Sequence, residues 1–528
     1  MLPISLLRSH NTVVVAVLAA SALAALYSTV TRVPKTPKDA NRVPYLPSSV
    51  PFLGNTIEVA ANTMRLLDWV AEHILERDGK PIALRLLGRN DLIYTANPEH
   101  FEQVLKTQSS NFGKGVLTRD VYSDFMGEGI LLTNGDRWKY HRRVLVNLFS
   151  ARALREFMTP VIQKNVQVLV GILSRASETT EPIDLYKLMN KFTFETFTEI
   201  GFGRQLGSLD SPHDHPFEQA FDQAHRISGK RFTAPGWLWR LKRWLNVGTE
   251  RCLKDAMVVT NGFIMDTISS AVERRRVQKD SGEQHANKDV VSIVLDTMES
   301  SGQSVTPTDI RDIVFAGLIA GRDTTADGMS WLMHLLHQNP RVLNKLRQEI
   351  SSALPNFASS DSYVPSMEDV QELPYLEATI RELLRLYPAA PTIPYNCTRD
   401  TVFPDGTFIP AGTAVFLALY TTARLESVWR PDAASFVPER FLDQDTGKLL
   451  PLSSTKFVPF SAGPRVCVGR NLALLEMKLV AATLVSRFQL EEVPGQNVTY
   501  SRGVSIGMKK PLLVTIKRVA NCATSSTD

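Results

Sequence analysis

Cysteine is scarce in this chain: Cys252, Cys397, Cys467 and Cys522 are the only four among 528 residues. No two of them stand in a C-x-x-C spacing, which excludes a dense disulfide scaffold and the zinc-finger pattern and fits a reducing compartment. Charge of one sign is scarce as well. Lys+Arg number 59 and Asp+Glu 54, a net charge of +5. Over this length that excess is too weak for nucleic acid, but it suits an acidic partner or an anionic membrane surface. No internal repeat and no alternating βαβ rhythm is visible. What remains, at 44% hydrophobic and 21% charged residues, is a globular composition rather than a disordered, collagenous or coiled-coil one.

One long apolar run is present. Thr12 to Val30 holds 19 uncharged, mostly apolar residues, about 28 Å as a helix and enough to reach across a bilayer core. Arg8 precedes it, and Arg32, Lys35, Lys38 and Arg42 follow it, so the positive-inside rule places the rest of the chain in the cytosol. A cleaved signal peptide is the competing reading. Pro34, Pro37, Pro44, Pro47 and Pro51 then forbid a helix and predict a stiff extended arm ending at Gly54. The predicted organisation is a membrane anchor over 1–33, a proline-rich hinge over 34–55, one catalytic domain over 56–518 and a polar tail over 519–528.

Within the body, residues 82–87 and 91–95 read as strands, and Pro98 to Lys106 as a helix. Helical signals dominate from there to Leu384. Strand signals return near 401–404, 407–409, 413–419 and 502–517, and the charged stretch 276–290 reads as an exposed loop. The expected fold is mainly α with small β-sheets. The longest helix is predicted over 307–338. Thr306 is its N-cap, Pro307 stands at N1, Asp309 completes a capping box, and Asn339-Pro340 ends it.

The segment Phe460-Ser461-Ala462-Gly463-Pro464-Arg465-Val466-Cys467-Val468-Gly469-Arg470 precedes an apolar helix predicted from Asn471 to about Phe488. Cys467 thus lies where a loop turns into a helix, and backbone N–H groups and the helix dipole there stabilise a thiolate. A thiolate is a strong axial ligand for haem iron. Gly463 and Gly469 leave no side chain where a flat macrocycle would approach the backbone. Arg465 can pair with a propionate. A lone cysteine is more often a buried structural residue; the four flanking residues are what set Cys467 apart.

This loop resembles the signature F-x-x-G-x-R-x-C-x-G of the cytochrome P-450 haem-thiolate monooxygenases, met by Phe460, Gly463, Arg465, Cys467 and Gly469. The resemblance runs from the proline hinge to about Val514. It implies a cytochrome P-450 fold behind an N-terminal transmembrane helix, and haem b held by the Cys467 thiolate. Glu382 and Arg385 share a helical face at i,i+3; with Arg440 of Pro438-Glu439-Arg440-Phe441 they match the family's Glu–Arg–Arg structural cluster. Trp138 and Arg142, spaced W-x-x-x-R, match its propionate-binding helix. Beside them, Arg137, Lys139 and Arg143 form a candidate docking face for an acidic electron donor. Many members carry an Arg where Tyr395 stands; a phenol can hydrogen-bond there but cannot form an ion pair. In the long helix, Asp323 and Thr324 match the family's acid–alcohol pair for proton delivery. Gly317 and Gly321 beside them are expected to open room for a ligand. Gly113-Lys114-Gly115 looks like a phosphate loop but lacks a preceding strand and the full fingerprint, and is set aside.

Three of the seven tryptophans fall in Trp237-Leu238-Trp239-Arg240-Leu241-Lys242-Arg243-Trp244-Leu245, where apolar and basic residues interleave as they do at a membrane interface. With Ala-Gly-Arg-Asp-Thr-Thr at 320–325, this resembles the fungal and plant fatty-acid and alkane ω-hydroxylase branch. An animal branch esterifies haem through a Glu at the place of Ala320, so non-covalent haem is expected here. The family's substrate regions map to Val116, Phe125, Phe315, Leu318, Ile393, Val504 and Ile506, mostly apolar as an alkyl chain requires. The expected activity is insertion of one oxygen atom of O2 into a lipophilic substrate, with electrons from a separate NADPH-cytochrome P-450 reductase and cytochrome b5 as a second donor. The expected location is the endoplasmic reticulum membrane, single-pass, with the catalytic domain in the cytosol and no nucleic-acid partner. Three alternatives stand beside it: a haem-thiolate isomerase or dehydratase of fatty hydroperoxides, a hydroxylase of sterols, terpenoids or xenobiotics, and a haem-binding sensor without catalysis.

Overall fold

The computed structural model describes residues 36–519, apart from 49, 51–52, 88, 180, 233, 282–289, 301–305, 356, 358–362 and 502. The apolar run from Thr12 to Val30 lies outside the described residues, as does most of the polar tail. Among the described residues no helix is long and apolar enough to cross a membrane. The chain divides into two compact units, 36–113 with 394–417, and 114–393 with 418–519.

The first unit holds two small sheets. Strands β1 (Asn41–Arg42), β2 (Ile82–Leu84), β3 (Leu92–Thr95) and β4 (Phe112–Gly113) come from its N-terminal part. A fifth short strand, β5 (Ile183–Asp184), belongs to the second unit. Strands β6 (Ile393–Cys397), β7 (Thr401–Val402), β8 (Thr407–Ile409) and β9 (Ala414–Leu417) return later. They order as β2-β3-β9-β6-β4 and β1-β8-β7. Every residue of β2 and β3 is buried, which is why this pair tolerates no polar alternation. The predicted extended arm is docked instead. Val43 and Leu46 are buried, Asn55 donates to the Leu46 and Pro47 carbonyls at 3.1 and 3.0 Å, and Tyr45 donates to Asp91. The same stretch supplies β1, which pairs with β8.

The second unit is helical. The helices that carry the site are α1 (Val116–Met126), α2 (Gly135–Leu148), α3 (Thr159–Glu178), α4 (Leu185–Phe202), α5 (Pro216–Lys230), α6 (Gly236–Leu245), α7 (Gly248–Ser281), α8 (Pro307–Gln338), α9 (Pro374–Leu386) and α10 (Arg470–Arg487). Strands β10 (Phe488–Glu492) and β11 (Leu513–Arg518) form a third sheet in the order β10-β11-β5. Helix α7 continues to Ser281, so the first part of the predicted 276–290 loop is helix. Lys, Arg, Gln and Glu are good helix formers when one face is solvated, and charge alone does not end a helix.

Helix α8 has the expected limits. The Thr306 hydroxyl accepts from Asp309 N at 3.2 Å and the Asp309 carboxylate accepts from Thr306 N at 3.3 Å, with Pro307 at the first position. Helix α4 packs along it. The glycines of α8 serve that packing rather than a ligand. A Cβ at Gly321 would lie 2.4 Å from the Phe197 ring, and one at Gly317 3.1 Å from it, so both positions admit a phenyl group from α4.

Helix α10 is buried almost throughout and carries Glu476 into the core, where burial pushes its carboxyl up to about 8. The folded state therefore binds a proton that the unfolded state releases near pH 4.3. Stability falls as pH rises from there through about 8. Glu476→Gln is expected to raise the unfolding free energy at pH 8 by about 1–3 kcal/mol and to change little at pH 4. Chemical denaturation at the two pH values measures this; an equal effect at both would contradict it.

Candidate functional site

The cysteine loop is shaped by two left-handed residues, Ser461 at φ 61° and Gly463 at φ 64°. A 3-10 turn over Gly463–Arg465 follows, and Cys467 N donates to the Phe460 carbonyl at 2.8 Å. This closure brings Cys467 back beside the start of α10. The backbone N–H groups of Gly469 and Arg470 face its sulfur, and the Arg142 guanidinium adds a favourable charge. Burial outweighs these and keeps the thiol above its ordinary value, although its surface is solvent-exposed. A Cβ on Gly469 would stand 4.0 Å from the sulfur.

The other described cysteines differ. Cys397 is buried in β6, donates to the Arg399 carbonyl at 2.9 Å, and is pushed up to about 11. That is a structural thiol. Cys252 is exposed on α7.

Cations gather beside the loop. Arg465 donates to Asn134 Oδ1 at 2.8 Å and to the Thr133 carbonyl at 3.3 Å, and its guanidinium lies 4.4 Å from the Trp138 ring centre. Arg142 donates to the Val466 carbonyl at 2.6 Å. Asn134 also clasps the backbone of Lys114, accepting from its N at 2.8 Å and donating to its carbonyl at 3.0 Å. Burial and the Arg465 charge hold the Lys114 ammonium down to about 8. An anionic group seated among these side chains would offset that repulsion. Lys114 is the residue that sequence reasoning misses: a short strand, β4, does lead into the Gly-Lys-Gly segment, and the fold places its lysine near Arg465. The neighbouring candidate docking face is partly committed, because Arg137 pairs with Asp309 at 3.3 Å and Lys139 with Asp136 at 3.0 Å. Such exposed pairs cost little to break.

On α8, Ala320 is exposed while Leu318, Ile319 and Arg322 around it are buried. The Thr324 hydroxyl donates to the Ala320 carbonyl at 2.7 Å. Its neighbour Asp323 turns elsewhere, to His225 Nδ1 on α5 at 2.9 Å and to Arg322 at 3.4 Å. These two cations outweigh burial and hold the Asp323 carboxyl below its usual range. Arg322 also pairs with Asp222 of α5. Nothing in the sequence pointed to His225, which is one helical histidine among ten in the chain.

Glu382, Arg385 and Arg440 meet. Arg385 forks onto Glu382 with bonds of 2.6 and 2.8 Å, Arg440 Nε adds 3.1 Å and Val437 N 2.8 Å. Arg385 also donates to the carbonyls of Ala423, Ala433 and Ser435. The cluster thus ties α9 to the chain after it. The residues mapped to a substrate region do not form one surface. Phe125, Phe315, Leu318 and Ile506 are packed on all sides, with the Phe125 and Phe315 rings edge-on at 5.1 Å. Val116 and Val504 are exposed, and Ile393 is half-buried. Tyr395 is buried in β6.

Residues 44–516 match the family model described as Cytochrome P450. Cytochrome P450 94A1 of Vicia sativa is 31% identical, over 90% of this chain and 91% of its own. Cytochrome P450 94B1 of Arabidopsis thaliana is 32% identical, over 92% and 94%. Among solved structures, a cytochrome P450DA heme domain superposes with a TM-score of 0.75 at 22% identity, covering 91% of this chain and 99% of that one.

Proposed function

The chain belongs to the cytochrome P450 family, and from that premise we propose that Cys467 is its haem ligand and that it ω-hydroxylates a long-chain fatty acid or alkane. It is a haem-thiolate monooxygenase, in which haem b on a cysteine thiolate supplies the oxidising chemistry when bound, with O2 and electrons from a redox partner. The observation that carries the assignment of Cys467 is its accessible sulfur, faced by two backbone N–H groups and with no side chain at Gly469 to block a flat group. Coordination to a metal replaces the proton that burial otherwise retains on the thiol. Arg465, Lys114, Arg142 and Trp138 would hold the propionates, and the Glu382–Arg385–Arg440 cluster stiffens the chain behind the loop. Ala320 offers no carboxyl for esterification, so the haem is expected to be extractable. Thr324, whose hydroxyl donates to the Ala320 carbonyl and whose oxygen can also accept, would pass protons.

The lipid substrate is supported by the branch resemblance and by α6. Trp237 and Trp244 are 67% and 79% exposed, with Leu241 and Leu245 beside them. Arg240 and Arg243 pair with Asp120 and Asp124 of α1, which leaves the indoles and leucines as the surface that meets lipid. With the apolar run near the N-terminus this makes an endoplasmic reticulum enzyme facing the cytosol, fed by NADPH-cytochrome P-450 reductase. Incubation with that reductase, NADPH and a saturated long-chain fatty acid is expected to yield the ω-hydroxy acid. Turnover of sterols or terpenoids but not of fatty acids would refute the substrate. Conversion of a fatty hydroperoxide without NADPH would favour the isomerase reading instead.

A further inference from the structure

We propose that Asp327, one turn beyond Thr324 on α8, is the carboxyl that stores the proton for this site, refilled from solvent through Tyr186 and the serines of the 499–507 loop, while Asp323 is a fixed countercharge. The proposal rests on the monooxygenase reading and changes which acid does the work.

Geometry comes first. At about 100° per residue, Ala320, Thr324 and Asp327 fall within a stripe of roughly 60° on α8. Asp327 is 1% exposed. Its Oδ1 accepts from the Tyr186 hydroxyl of α4 at 3.1 Å, and Ser505 donates to the same carboxyl. Its Oδ2 is buried with no hydrogen-bond partner. A buried, unpartnered carboxyl oxygen is costly if it carries charge, and a proton relieves that cost. Gly507 closes the group from outside. A Cβ there would lie 2.6 Å from the Tyr186 hydroxyl, 3.2 Å from Asp327 Oδ1 and 3.5 Å from the Ser501 hydroxyl. Two hydroxyls therefore meet this carboxyl, Tyr186 from α4 and Ser505 from a loop whose Gly503 and Val504 are exposed, and Ser501 lies beside them across Gly507.

The charges agree with this placement. Asp323 is engaged by His225 and Arg322 and stays ionised. Burial and the Asp323 charge then push Asp327 up to about 7. Two carboxyls whose surroundings drive them apart separate into an ionised partner and an acid. The groups facing Asp327 are Tyr186 from α4, Ser505 from the loop, and Asp323 and Arg322 from its own helix. Behind these stand His225, Asp222 and Glu218 from α5 and Tyr122 from α1. On the α10 side, Met477 packs against Gly328. In each delivery a proton leaves Asp327 Oδ2 for the Thr324 oxygen, directly or through one water, as the Thr324 hydroxyl releases its own proton forward. Asp327 regains one from the Tyr186 hydroxyl, and solvent restores Tyr186 through Ser505 and Ser501. One proton moves inward and no electrons are exchanged.

Asp327→Asn keeps the shape and the Tyr186 contact but cannot carry the proton. In the haem-loaded full chain with reductase and fatty acid, it is expected to leave the thiolate spectrum and the substrate-binding shift intact. Product formation should fall about tenfold or more, with more peroxide released per NADPH and a larger solvent isotope effect. The native rate should decline as pH rises through about 7, and that inflection should vanish in the variant. Tyr186→Phe should slow product formation less, in the same direction. Independently of turnover, infrared spectra of the native protein should show a protonated-carboxyl band that titrates near pH 7 and is missing in Asp327→Asn. Unchanged coupling and pH profile in the variant, or no such band in the native chain, would overturn the proposal. Absence of the thiolate spectrum from the native protein would instead strike the monooxygenase reading, and the infrared titration would still decide whether Asp327 holds a proton.

Discussion

Glu382→Ala is expected to remove a large share of the second unit's stability, about 3–5 kcal/mol. The Glu382 carboxylate and the Arg385 guanidinium are 0% and 1% exposed, and Arg440 is 7% exposed. Removing the acid leaves two guanidinium groups together in low dielectric with one hydrogen-bonding partner gone from each, and frees Val437 N as well. Breaking a buried pair in this way costs about 3–5 kcal/mol, set against a total stability of about 5–15 kcal/mol. The damage spreads because Arg385 also gathers the carbonyls of Ala423, Ala433 and Ser435. Next to them Trp429, Ala433 and Phe441 pack as one apolar cluster with Ala378 of α9. Arg385→Lys should lose the fork while keeping the charge, and so should destabilise less. Soluble yield and denaturant midpoints measure both variants. A Glu382→Ala protein within about 1 kcal/mol of the native chain would mean the cluster has no structural weight.

Cys467→Ser is expected to reduce turnover to background while the polypeptide stays folded. The loop does not depend on the sulfur: its closure is the Cys467 N to Phe460 carbonyl bond and the left-handed Ser461 and Gly463, all kept by serine. What serine cannot supply is an anionic ligand at neutral pH: a metal can displace the proton of a thiol, even one that burial holds above its ordinary value, but an alcohol keeps its proton far more tightly. The contrast lies in the other cysteines. Cys397→Ser and Cys252→Ser should retain haem and activity, because one thiol is tied to the Arg399 carbonyl and the other lies on the surface of α7. Haem content per chain and product formation in the three variants check this. Full loss in Cys397→Ser with activity kept in Cys467→Ser would reverse the assignment.

The parts of this molecule that could be read from sequence are those set by local chemistry. Helix α8 announces itself through Thr306, Pro307, Asp309 and the Asn339-Pro340 stop, all within a turn of its ends. The cysteine loop shows its glycines, arginine and cysteine in a ten-residue window. What stayed hidden depends on residues far apart in the chain. Gly317 and Gly321 read as ligand space until Phe197, more than a hundred residues earlier, turns out to fill it. The ion pair of Asp323 with His225 joins two helices and leaves no mark in either local segment. Lys114 carries no signal in its local pattern, because Arg465, whose charge it is set beside, lies hundreds of residues away. Strand β5 is too short to show a period of two, β10 follows the end of α10 with no intervening turn residue to mark it, and the stretch near 502–517 is strand only from Leu513 onward.

The central claim is that the sulfur of Cys467 binds haem iron. The reduced, carbon monoxide-bound spectrum of the full-length protein tests it most directly. The account predicts the red-shifted Soret band of a thiolate-ligated haem, present in the native chain and lost in Cys467→Ser. A Soret band of the histidine-ligated type in the native protein, or a thiolate-type band that survives in Cys467→Ser, would contradict it.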